Sequence, residues 1–332
     1  FFKQKTAYEI STRDWSSDVY SSDLGPEGNL VGVFAGKASR QVGSGMSGVG
    51  GYTAPAGMSD LVTAMAADGT IHAVYSGNGG LWHVAIDPSL AAGKPAKIAD
   101  KLVHPSAAVL KDGTVSVIAF DRQSKGFVEV RGTAGGGFTS APIEFEGSIA
   151  IADPHPCQAI RGDDQFLFVT AKGSSGTEGL LFARSKGQGR FRVFGSVGEI
   201  DSGRQIYRPS LVAPRDGSLR LVATNKGGYS QIAFVPPKRP ELSKLANPPL
   251  GMALNFGSVF EAATGAGAIV DQTGALHDYP ASGKPAKSDL KLPVDHGGQG
   301  ANRRSLATAP DGTAVLLFGG NSETAYQQSV YR

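Results

Sequence analysis

His104-Pro105-Ser106, followed after five residues by Asp112-Gly113-Thr114, is one copy of a phrase that returns along the chain. It recurs as His155-Pro156-Cys157 before Asp163-Asp164, as Arg208-Pro209-Ser210 before Asp216-Gly217-Ser218, and as Arg303-Arg304-Ser305 before Asp311-Gly312-Thr313. In these four copies the small residue precedes the turn Asp by six positions. A fifth copy runs from Leu61 to Asp68-Gly69-Thr70 without the serine. A sixth turn falls near Thr264, in the least regular repeat. Successive turns stand 44 to 53 residues apart. A period of that length marks a repeat architecture built from one supersecondary unit.

The unit reads as four antiparallel strands. Within the second repeat, Ser106–Leu110 is short and apolar, which predicts an innermost strand buried on both faces. Lys111-Asp112-Gly113 supplies a tight turn, since Asp and Gly accept the backbone angles a hairpin needs. Val115–Phe120 forms the next strand, and Gly126–Arg131 alternates apolar with polar like a half-exposed one. Gly135-Gly136-Gly137 then turns into an outer strand over 138–145. Four such strands in about fifty residues make one blade, so the fold class is all-β, a β-propeller of four-stranded antiparallel blades. Six blades are expected, with Asn29–Ala35 closing the last one. The alternative makes Glu27–Val42 the remnant of a seventh blade.

Residues 25–332 are read as a single propeller domain. Residues 1–24 share no register with the repeat and resemble the translated sequencing-adapter read-through found in metagenomic gene models. They are set apart from the fold, as a disordered leader would be. The expectation is that the natural N-terminus, with any signal peptide, is missing, and that the end at Tyr331-Arg332 stops inside a strand pattern.

Forty-six glycines and 19 prolines suit many short strands. The formal net charge of +3 is too mild and too dispersed for a nucleic-acid partner. The single cysteine, Cys157, excludes an intrachain disulfide framework and stands where sister repeats have serine, so a buried small residue is expected there. No apolar run approaches the roughly 18 residues of a membrane span. Gly43–Gly51 is glycine-rich, but no Gly-Lys-Ser/Thr follows it, so it reads as a flexible loop and not as a phosphate cradle.

In a propeller the start of each inner strand faces the axial funnel. Asp60, His104, His155, Arg208 and Arg303 occupy those starts, with Asp153, Tyr207 and Asn302 beside them. Planar guanidiniums pair bidentately with carboxylates, so Arg208, Arg303 and Asn302 are the candidate ligand-binding residues for an anionic sugar. Two chemistries suit the set. Hydrolysis would use Asp60 and Asp153 as the paired acids. β-Elimination from a uronate would use His104 or His155 with Tyr207 as base, while the arginines neutralise the sugar carboxylate. The six histidines lack metal-ligand spacing; His104 and His155 alone could meet across blades, and a two-histidine site would need further ligands. No metal or other cofactor is expected.

Ile206-Tyr207-Arg208-Pro209-Ser210-Leu211-Val212 ahead of Asp216-Gly217-Ser218 resembles the sialidase superfamily, which carries an aromatic-Arg-Ile-Pro phrase before an Asp-Gly turn. Ser185-Lys186-Gly187-Gln188-Gly189-Arg190-Phe191 falls where that family has its Asp box, with Gly187 in place of the Asp. The resemblance implies a degenerate sialidase-like propeller in which Arg208 helps to bind a sugar carboxylate. The functional expectation is therefore a carbohydrate-recognising protein with an acidic glycan as partner, with glycoside hydrolase or uronate lyase activity as its chemistry. An extracytoplasmic location, periplasmic or secreted, follows from the glycan reading. The rival is a non-catalytic scaffold that binds another protein through its loops, because Gly319-Gly320 followed by Tyr331 is similar to a kelch blade.

Overall fold

The computed structural model describes residues 59–88 and 93–200 almost without a break, only Ser175 being left out. It also describes the strands at 29–35, 40–47 and 52–54, residues 209–213, and the strands from 219 to 331 given below. The leader 1–24 lies outside the described residues.

All regular structure among the described residues is β. Strands β1 (Asn29–Ala35) and β2 (Arg40–Ser47) form an antiparallel hairpin, and β3 (Tyr52–Ala54) follows. The first blade is β4 (Ser59–Met65), β5 (Ile71–Gly77), β6 (Gly80–Ile86) and β7 (Ala96–Asp100). The second is β8 (Leu102–Val109), β9 (Val115–Asp121), β10 (Gly126–Gly132) and β11 (Thr139–Pro142). After β12 (Glu144–Phe145) comes the third, β13 (Ile151–Arg161), β14 (Asp164–Lys172), β15 (Thr177–Ser185) and β16 (Arg190–Glu199). The fourth contributes β17 (Ser210–Val212), β18 (Leu219–Thr224) and β19 (Ser230–Val235). The fifth is β20 (Ser258–Glu261), β21 (Gly267–Val270), β22 (Ala275–Tyr279) and β23 (Ala286–Lys291). The sixth holds β24 (Arg304–Thr308), β25 (Thr313–Asn321) and β26 (Tyr326–Tyr331).

The inner strands close a ring. Each of β4, β8, β13, β17 and β20 packs against the next, and β24 packs against β4. The sixth blade takes its outer strand from the N-terminal side, with Tyr52, Thr53 and Ala54 pairing Gln328, Gln327 and Tyr326. The closing strand is thus β3. The predicted closer, β1, joins the same sheet through only two residue pairs, Val33 with Ala314 and Phe34 with Thr313. The β1–β2 hairpin shares this sheet and does not make a seventh blade. Part of the glycine-rich stretch read as a loop, Gly43–Ser47, is strand.

The repeated Asp-Gly-Thr has a local cause. In the first two blades Gly69 and Gly113 sit at φ +88° and +81°, a region glycine enters without a Cβ penalty. The Asp68 carboxylate accepts the Thr70 N–H at 2.9 Å, and Asp112 accepts that of Thr114 at 3.0 Å. These bonds hold both carboxyls below the usual aspartate value. The hairpin between β5 and β6 uses Asn78-Gly79, both at positive φ, as a two-residue turn matched to strand twist requires.

Between blades the core follows the two-residue strand period. On β9, Val115, Val117 and Ala119 pack against Val74, Leu81 and Ile98 of the first blade, while Ile118 turns to Leu167, Val169 and Phe182 of the third. On β14, Leu167 and Val169 face that second blade, whereas Phe166 and Phe168 face Leu211, Leu219 and Leu221 of the fourth. The continuous burial predicted for the innermost strand belongs to the second strand instead: β14 is buried from Gln165 to Ala171, whereas β8 mixes buried and half-buried positions. The second strand is flanked in its own sheet and covered on both faces by neighbouring blades, while the first borders the axis. The outer strand predicted for the second blade also divides. It ends at Pro142, and Glu144-Phe145 pairs in parallel with Arg190-Phe191 on the third blade's outer edge. Cys157 is buried in the core between the third and fourth blades.

Candidate functional site

The inner strands of the first three blades share one irregularity at their starts. Their ladders shift between Ser59 and Val62, between Val103 and Ser106, and between Asp153 and Cys157. Each shift places extra residues on the inner strand, and such bulges re-aim side chains. The extra residues include Asp60, His104 and His155. Asp60 and His104 stand at φ +58° and +53°, a left-handed backbone that costs a side-chain-bearing residue free energy. His104 precedes Pro105, which restricts its backbone further.

These bulges bring four predicted residues together. The His104 and His155 rings lie 4.0 Å apart between centroids, tilted by 51°. Asp153 Oδ1 accepts the backbone N–H of His155 at 2.8 Å and lies 2.7 Å from its Nδ1. Beside a carboxylate Nδ1 is the donor, and Nε2 is the nitrogen left for another partner. Asp60 is buried and accepts the Ser76 hydroxyl at 3.1 Å. Its Oδ2 lies 2.8 Å from His104 Nδ1, yet without the alignment of a hydrogen bond, so this buried nitrogen has no hydrogen-bond partner among the described residues. One donor atom from each of Asp60, His104 and His155 lies within 4.8 Å of the others.

Burial pushes the His104 imidazole down to about 4, and the charges of His155 and Arg122 add to the effect while Asp153 opposes it. The ring is therefore neutral near pH 7. Sequence reasoning missed two residues here. Ser76 comes from the second strand of the first blade and carries no signature of its own. Arg122 lies on the turn between β9 and β10, exposed, with its charge acting on His104. Its signal was its place in Asp121-Arg122-Gln123-Ser124-Lys125, the loop on the same side as the inner-strand starts. Tyr207, Arg208, Asn302 and Arg303 lie outside the described residues.

A second polar cluster fills the interface between the second and third blades. Arg184 Nη2 donates to both oxygens of buried Glu129 at 2.9 and 2.8 Å and to Gln165 Oε1 at 2.5 Å. Ser116 donates to Glu129 at 2.7 Å, and Gln165 donates to Gln158 at 2.7 Å. Gln158 in turn crosses to the Ser106 carbonyl at 2.7 Å. Arg184 also lies over the Phe191 ring at 4.3 Å. The donors more than offset the cost of burial, and Glu129 is held below the usual carboxylate value. This cluster borders a cleft of about 280 Å³ at the opposite end of the sheets, lined by turn residues that include Asp112, Asp163 and Lys186. Ser185–Gly189, the stretch set beside an Asp box, forms the turn from β15 to β16 on that cleft.

No sequence-family profile matches the chain, and no curated protein does. Solved structures do. A protein of unknown function from Dyadobacter fermentans is 11% identical with a TM-score of 0.60, over 82% of this chain and 94% of that one. A fungal lectin from Aleuria aurantia, described as a six-bladed β-propeller with a novel fucose recognition mode, is 10% identical with a TM-score of 0.56, over 81% and 89% of the two chains. A mutant of that lectin in complex with Fucα1-6GlcNAc is also 10% identical, with a TM-score of 0.59, over 82% and 95%. At such identities the likeness is one of fold. The chain is an all-β protein with the six-bladed propeller architecture, and around the axis it gathers a histidine–carboxylate cluster from three successive blades.

Proposed function

We propose that this propeller recognises a glycan, and that the sugar is an acidic one, sialic or uronic, held at the mouth of the axial channel. The observation that carries the reading is the convergence of Asp60, His104, Asp153 and His155 from three blades, two of them on left-handed backbone. Strained backbone persists where surrounding structure holds it, and it clusters at functional sites. The polar floor suits sugar hydroxyls. Arg122 at its rim and the arginines expected at the neighbouring strand starts, Arg208 and Arg303, suit a carboxylate. The Aleuria aurantia lectin of the same fold binds fucosides, which are neutral; the cations here set the proposed ligand apart.

Asp60 and Asp153 each stand against an imidazole, so the reading is recognition first. Turnover through those acids, or elimination through His104 or His155 with Tyr207, would appear in the same samples as new reducing ends. The test is calorimetric titration of the full chain and of Arg208→Ala with sialylated and glucuronate-containing oligosaccharides. Saturable binding by the parent and its loss in a folded Arg208→Ala variant is the expected result. Equal binding by both would remove Arg208 from the site, and no binding by the parent would favour a scaffold for a protein partner.

A further inference from the structure

We infer that Asp60, His104 and His155 form a binding site for one divalent transition-metal ion of the zinc class. The inference goes beyond the glycan reading and stands without it, because it rests on the donor set alone.

Three donors come from three blades, and each is placed by a bulge in its own inner strand. Their ligand atoms lie within 4.8 Å of one another. Small ring rotations close that spread to the edge of about 3.4 Å that zinc bonds of about 2.0–2.2 Å require. His104 Nδ1 and Asp60 Oδ2 are already 2.8 Å apart and do not hydrogen-bond, although the nitrogen is buried. Two ligand atoms at that separation both lie within reach of one small cation between them. Burying a ring nitrogen without a hydrogen bond is costly, and a bound cation would offset that cost.

The outer shell is built as well. Asp153 takes His155 Nδ1 at 2.7 Å, which leaves Nε2 as the nitrogen to face the ion. Ser76 donates to Asp60 Oδ2 and orients the carboxylate. Two imidazoles and one carboxylate suit zinc-class ions rather than calcium or magnesium, which take oxygen donors. Three protein ligands leave a fourth position open. A water, or a sugar carboxylate or hydroxyl, would be the exchangeable ligand there.

The probe is zinc chloride alone, titrated into the metal-stripped full chain, with calcium chloride as the comparison. One equivalent of zinc per chain is expected, with calcium bound far more weakly. His155→Gln should weaken zinc at least about tenfold, and Asp153→Asn about 10–100-fold through the outer shell. Asp60→Asn should do the same; because Asp60 is buried, the half-buried His155 gives the decisive variant if Asp60→Asn fails to fold. Cys157→Ser and His83→Gln should keep parental affinity, and loss of zinc in either would overturn the assignment. It is equally overturned if the parent binds no zinc, prefers calcium, or binds zinc as tightly with Gln at 155. Zinc binding without glycan binding keeps this inference and removes the glycan reading, and the converse result does the opposite.

Discussion

Acid should destabilise this fold through a pair of histidines far from the axis, and replacing one of them should remove much of that sensitivity. His72 on β5 and His83 on β6 are both buried, with His72 Nδ1 3.0 Å from His83 Nε2 and the rings stacked at 5.2 Å. His83 also packs against Phe138, its ring 5.2 Å away. One nitrogen must donate and the other accept, so the contact is lost when both rings are protonated. Burial, with the neighbouring His72 adding repulsion, pushes His83 down to about 4, and burial lowers His72 as well. Above about pH 6.5 the folded and unfolded chains leave these rings equally unprotonated, and the stability is fully present. Below it the unfolded chain takes up protons that the folded chain refuses, so stability falls until the pH passes about 4. The gap from the ordinary 6.5 to about 4 corresponds to about 3 kcal/mol for His83 alone, at about 1.4 kcal/mol per pH unit. His83→Gln keeps an amide able to meet His72 and removes the titration. Urea unfolding at pH 7.5 and pH 4, in the parent and in this variant, should show the parent losing about 3 kcal/mol more than the variant. Equal losses in the two proteins would refute the reasoning.

Other expected outcomes follow from the blade interfaces. Arg184→Met should cost about 1.5–3 kcal/mol in urea unfolding, because buried Glu129 loses its charge-assisted bonds from Arg184 and keeps Arg131, at 2.9 Å, as its remaining cation; a variant as stable as the parent would contradict the network's role. Gly179→Ala would put a Cβ 2.6 Å from Val197 Cγ2 and 2.7 Å from Phe168 Cζ, so a loss of about 1–3 kcal/mol is expected by the same measurement. Asp112→Ala removes the acceptor for the Thr114 N–H on an exposed turn, and a loss under about 1.5 kcal/mol should be seen.

The turns were legible in the sequence because their cause is local: Asp68 and Asp112 bond a backbone N–H two residues away, and the glycine between accepts positive φ. Blade number followed from their period. The closing strand was not legible. Nothing local distinguishes Tyr52–Ala54 from Asn29–Ala35 as the partner for β26, because that pairing spans nearly the whole chain. The passage of Glu144-Phe145 onto the next blade was hidden for the same reason, as was the Glu129–Arg184 pair, whose members are 55 residues apart. At the axis, equal places in the repeat put Asp60, His104 and His155 at one level, so their meeting could be read from the period. The bulges that aim them, the left-handed backbone at His104 and the reach of Arg122 could not, because they depend on how three blades pack.

The central claim is that the axial cluster serves a sugar ligand, and a glycan array read with the full chain tests it most directly. Selective retention on sialylated or uronate-containing glycans over neutral ones, lost in a folded His155→Gln variant, is the result the account predicts. Retention on no glycan by a folded, all-β sample, or equal retention by the variant, would contradict it.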